Sequence, residues 1–133
     1  MRTYVDANIF LYAALYDDER GRRCRDALAG IVRGATDAVT SALTWDEFSH
    51  VVERVRGRSD AITAGERFLR FPRLAFLPCT ADVLIGAQRL RAETSLGARD
   101  CIHAATAHIA RANVFLSEDS DFDGVAGFAR RPA

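Results

Sequence analysis

Short apolar runs alternate with helix-length segments along all 133 residues, and this alternation restricts the chain to a small set of architectures. Residues 2–6 read as a buried strand, 37–40 as a weaker one, and 74–77 and 114–116 as two more, with an edge strand expected at 128–130. Helices are expected from Ile9 to Leu15, Asp17 to Val32, Leu43 to Val55, Ser59 to Phe71, Thr80 to Glu93 and Ala98 to Ala112. Helical spacing puts Cys24, Ala27, Leu28 and Ile31 on one inward face. It does the same for Phe48, Val51, Val52 and Val55, and for Ile62, Gly65, Phe68 and Leu69. Pro72 closes one helix, and Gly34 and Gly57 end two others. Strands in alternation with helices predict an α/β fold whose mainly parallel sheet is covered on both faces. One domain spanning 1–133 suits this length.

Charge narrows the function classes. Eighteen basic residues balance eighteen acidic ones, so any nucleic-acid binding must be local rather than driven by net charge. Every basic residue is Arg, whose planar fork suits phosphate, although uniform codon bias explains the same pattern. Cys24, Cys79 and Cys101 fit neither a disulfide framework nor a zinc site. No signal peptide or membrane-length apolar stretch is evident, so a cytoplasmic location is expected.

Four acids carry the functional signal: Asp6, Glu47, Asp100 and Asp119. Asp6 follows the first strand and Asp119 the fourth, whereas Glu47 and Asp100 open helices. Parallel strands bring their C-terminal ends to one edge, where sites form. Each acid also has a purely structural reading. Glu47 completes a capping box with Thr44, Asp100 suits a helix dipole, and Asp119 caps a turn. Asp6 is hardest to dismiss, because a charge directly after a buried strand needs partners. Together, carboxylates about 5 Å apart repel by roughly 3 kcal/mol per pair at an effective dielectric near 20. Raised pKa values or divalent cations must compensate, and Mg²⁺ or Mn²⁺ suits such oxygen ligands. Two such ions activate water and stabilise the leaving oxygen of a phosphodiester. Asn8 and Ser117 are candidate orienting residues, Arg99 and His103 candidate substrate contacts, and Asp121 an auxiliary ligand. The Asp119–Gly124 run imitates the start of an EF-hand loop, but Arg130 stands where Glu is required and a strand precedes it.

In this order the segments Val5-Asp6-Ala7-Asn8, Glu47, Asp100-Cys101-Ile102-His103-Ala104-Ala105 and Leu116-Ser117-Glu118-Asp119 resemble the PIN-domain nucleases, above all their VapC-type toxins. That family often has Thr at the position of Ser117, and Ser or Thr at that of Asn8. The resemblance implies a three-layer α/β/α sandwich and metal-dependent cleavage of RNA to a 5′-phosphate and a 3′-hydroxyl. It implies that Asp6, Glu47, Asp100 and Asp119 hold Mg²⁺ or Mn²⁺. It further implies a homodimer, and an antitoxin that wraps a groove near residues 42–71. Rival readings are a housekeeping RNA-processing nuclease and a PIN domain that binds RNA or protein without cutting. A Mg²⁺-dependent phosphatase is disfavoured, since Asn8 stands where a second Asp would be needed.

Overall fold

The computed structural model describes residues 1–133. Five strands form one sheet: β1 (Arg2–Val5), β2 (Asp37–Ser41), β3 (Leu74–Leu77), β4 (Val114–Leu116) and β5 (Ala129–Arg131). Their order is β3-β2-β1-β4-β5, and every neighbouring pair is parallel. Six helices connect them: α1 (Ala7–Leu15), α2 (Glu19–Val32), α3 (Ala42–Arg56), α4 (Arg58–Leu69), α5 (Ala81–Glu93) and α6 (Ala98–Ile109).

Period-two alternation along the strands sorts the core into two halves. Tyr4, Val39 and Phe115 face one side and pack against α5 and α6. Val5 and Ala38 face the other, where α1, α2, α3 and α4 bury Ile9, Cys24, Phe48 and Phe68. The result is the expected three-layer sandwich. Helix α6 lies close to the sheet because its inner face is small, with Ala104 and Ala107 fully buried.

Differences from expectation are mostly at element ends. Residue 6 leaves β1 and caps α1 instead, its carboxylate accepting from the Ala7 amide, so α1 begins at Ala7 rather than Ile9. Asp18 caps α2 by accepting from the Arg20 and Gly21 amides, which moves that start to Glu19. Ser41 caps α3 through the Leu43 amide, and Thr44 is already inside the helix, bonded to Thr40. The Thr44–Glu47 capping box is therefore absent. Helix α6 stops at Ile109, and Arg111 takes a left-handed φ of 56° that turns the chain into β4. Val55, Ile62 and Leu69, expected inward, are more than half exposed. The α3–α4 hairpin rests on the sheet along the Phe48, Val52, Ala61 and Phe68 face, leaving those three on its outer side.

Numbered strands run outward from β1 to β3, then the chain crosses back to β4 on the other flank of β1. This reversal makes a crevice beyond the C-terminal ends of β1 and β4. Asp6 and Ser117 stand directly past those two ends.

Candidate active site beyond the ends of β1 and β4

Asp6 is almost fully buried, at 5% exposure, and it is thoroughly hydrogen-bonded. One carboxylate oxygen accepts from the Ala7 amide at 2.8 Å. The other accepts from the Ser117 hydroxyl at 2.7 Å and from the Asn8 side-chain amide at 3.4 Å. Asn8 also donates to Ser117 Oγ at 3.1 Å and accepts from the Glu118 amide at 3.2 Å. The Asp119 amide completes the set by donating to Ser117 Oγ at 3.0 Å. Asn8 and Ser117 thus sew the β1–α1 turn to the loop after β4, which fixes where the Asp6 carboxylate points.

Glu47 reaches the same crevice from the second turn of α3. Its Oε1 is hydrogen-bonded to His103 Nε2 at 2.7 Å, and Arg99 Nε lies 3.6 Å from the same oxygen. Ligand atoms of Asp6, Glu47 and His103 all lie within 4.8 Å of one another. Asp100 projects from the first turn of α6 and is half-buried. Partial burial, then the charges of Asp6 and Asp119, raise its carboxyl to about 6, with Glu47 adding and His103 opposing. Burial likewise raises Asp6, while His103, Ser117 and the Ala7 amide pull it down. All four acids therefore share one electrostatic neighbourhood. Asp119 accepts from the Asp121 amide at 2.9 Å and so also caps the short 3-10 turn at Ser120–Gly124. Asp121 is exposed, and Asp123 pairs with Arg130 at 2.6 Å.

For His103 the sequence allows either a substrate contact or a histidine packed at the rim of the core; it is 0% exposed and lies in the pocket wall between Tyr4 and Glu47. Burial opposes a charged imidazole, but the hydrogen bond to Glu47 and the charges of Asp6 and Glu47 outweigh it and raise its pKa. Part of the compensation that clustered carboxylates require is therefore supplied by the protein itself. Tyr4 escaped the sequence reading altogether, because a tyrosine in an apolar strand resembles ordinary core. The available signal was the general need of a buried hydroxyl and a buried imidazole for partners.

The donor set suits a hard divalent cation. Carboxylate oxygens dominate, and a carboxyl raised to about 6 by partial burial and then by neighbouring anions marks a place where added positive charge is stabilising. The only nitrogen in the tight group belongs to His103, whose Nε2 is engaged by Glu47.

The PIN domain family model matches residues 3–128. Among curated proteins, none matches the chain by sequence. Solved structures share its fold. A structure of VapBC2 from Rickettsia felis bound to a DNA fragment from their promoter aligns with a TM-score of 0.75 at 18% identity, covering 99% of this chain and 98% of that one. Mycobacterium tuberculosis VapC20, a Sarcin-Ricin loop cleaving toxin, aligns with a TM-score of 0.76 at 18% identity over 96% of both chains. FitAcB from Neisseria gonorrhoeae gives 0.70 at 20% identity, over 96% of this chain and 95% of that one. At such identities the likeness is one of fold, and the family match over nearly the whole length carries the assignment: this chain belongs to the PIN domain family.

Proposed function

We propose that this protein is a metal-dependent endoribonuclease, a toxin of the VapC type held in check by an antitoxin. The observation that supports the reading is that the ligand atoms of Asp6, Glu47 and His103 lie within 4.8 Å of one another, while the charges of Asp6, Asp119 and Glu47 add to burial in raising the Asp100 carboxyl. Asp6, Asp100, Asp119 and Glu47 would hold Mg²⁺ or Mn²⁺, with Asp121 as an auxiliary ligand. When bound, such a cation supplies Lewis-acid activation of water and of the phosphodiester.

The chain's own residues do the rest. Ser117 and Asn8 lock the Asp6 carboxylate in one orientation, so no reorganisation is needed when substrate arrives. Arg99, at the rim and 64% exposed, is free to pair with an RNA phosphate while remaining near Glu47. Products would carry a 5′-phosphate and a 3′-hydroxyl.

A groove of about 510 Å³ between α1, α3 and α4 suits an antitoxin segment. Phe10, Phe48, Phe68 and Phe71 give it an apolar lining, and Arg56 and Arg67, with Asp60, supply its charged groups. That combination fits an amphipathic helix with acidic flanks. Complexes of toxin with antitoxin among the structures of like fold support the same partnership. A second copy of the chain is the further expected partner.

Replacement of Asp6 by Asn tests the reading. Wild-type protein with Mn²⁺ should cut RNA, EDTA should stop it, and Asp6→Asn should fall to background while keeping its circular dichroism spectrum. Undiminished cutting by the variant would refute the assignment.

A further inference from the structure

A buried polar chain runs from the core into the crevice. The Ser41 amide donates to the Tyr4 hydroxyl oxygen at 3.2 Å. That hydroxyl is hydrogen-bonded to His103 Nδ1, and His103 Nε2 to Glu47 Oε1. Tyr4, Ser41 and His103 are all fully buried. A buried hydroxyl and a buried imidazole need partners, so their hydrogens are assigned among these groups.

The direction follows from the one member that cannot reverse. A backbone amide only donates, so the Tyr4 oxygen accepts from Ser41, and of the two groups hydrogen-bonded to this buried hydroxyl only Nδ1 can take its hydrogen. A neutral imidazole that accepts at Nδ1 must carry its hydrogen on Nε2. A cationic imidazole carries hydrogen on both nitrogens. In either form Nε2 presents N–H to the carboxylate, and Glu47, which accepts only when ionised, is its natural partner.

We propose that Tyr4 and His103 are positioning residues that together place a hydrogen on His103 Nε2 and so hold the Glu47 carboxylate facing Asp6. The inference rests on the metal-site reading given above. It also distinguishes two roles for the imidazole: a nitrogen that donates to Glu47 has no lone pair for a cation, so His103 supports a ligand without being one.

Two measurements test this. In metal-free protein, long-range proton–nitrogen NMR of His103 should show a hydrogen on Nε2. Tyr4→Phe keeps the ring and its packing but removes the hydroxyl, and should shift the neutral imidazole toward a mixture of tautomers. A bare Nε2 in the wild type would overturn the proposal, whatever the protein binds. In the second measurement, Mn²⁺ affinity is read by electron paramagnetic resonance. His103→Ala should weaken it about 10–100-fold, as loss of a ligand-orienting partner does elsewhere, and His103→Gln should recover most of that loss. Nitrogen coupling from His103 to bound Mn²⁺, or unchanged affinity in His103→Ala and Tyr4→Phe, would also overturn it. Failure of the wild type to bind Mn²⁺ at all would instead defeat the metal-site reading, and the NMR result would still decide the positioning chain.

Discussion

The inner and outer carboxylates of the crevice are built differently. Asp6 and Glu47 are held by the protein: Ser117, Asn8, the Ala7 amide and His103 all donate to them. Asp100 stands on the outer side, half-buried, and its carboxyl is raised first by that burial and then by the neighbouring negative charge. The inner pair is preorganised at the cost of buried polar groups that must all be satisfied. The outer position is under repulsion that folding alone leaves unrelieved. A cation would gain rigid ligands from the first group and relieve strain among the second.

The largest effect should come from the inner side. Asp6→Asn should bring RNA cleavage down to background, as the assay above measures. Ser117→Ala leaves Asp6 Oδ2 without its nearest donor and should destabilise the fold by about 1–3 kcal/mol, since a buried charged acceptor is left short of a partner. Urea denaturation checks this; an unchanged midpoint would mean that Asp6 is not fixed by Ser117.

Asp100 should behave in the opposite sense. Its folded carboxyl titrates at about 6 against an ordinary 3.8, so the unfolded chain releases that proton first as pH rises. Below 3.8 the group is protonated in both states and has no effect; between 3.8 and about 6 metal-free stability falls; above 6 the full penalty stands. With its half-exposed position discounted for solvent screening, the penalty is about 1 kcal/mol. Asp100→Asn should therefore melt higher than wild type at pH 7 without metal, and the gap should close near pH 4. A lower melting temperature for the variant would contradict a penalty from burial and neighbouring charge. The smallest effect belongs to Arg99. Its pair with Glu47 is long, at 3.6 Å, and exposed, so Arg99→Ala should change stability by less than about 0.5 kcal/mol while weakening RNA binding at low salt. A large drop in the melting temperature would make it a structural residue instead.

What was legible in the sequence follows from which forces act locally. Strand and helix alternation reports burial on a repeating face, so the parallel sheet and its two helical layers could be read directly. Asp6 and Ser117 stand just past strands, and topology alone delivers those positions to one edge. The starts of α1 and α3 were misplaced because capping depends on which side chain bends back, and Asp6 and Ser41 do so where Ile9 and Leu43 read as the first helical residues. Val55, Ile62 and Leu69 were misread because helical spacing defines an apolar stripe but not its width, and the α3–α4 hairpin uses only part of it. His103 and Tyr4 lie 99 residues apart and meet only in the folded chain, so no spacing rule links them.

The most direct measurement is a Mn²⁺ titration of the purified protein, followed by the signal of the free ion, on wild type and Asp6→Asn. Saturable binding by the wild type, reversed by EDTA and lost in the variant, is the predicted outcome. Equal binding by the two proteins, or none by either, would show that the clustered carboxylates do not form a cation site.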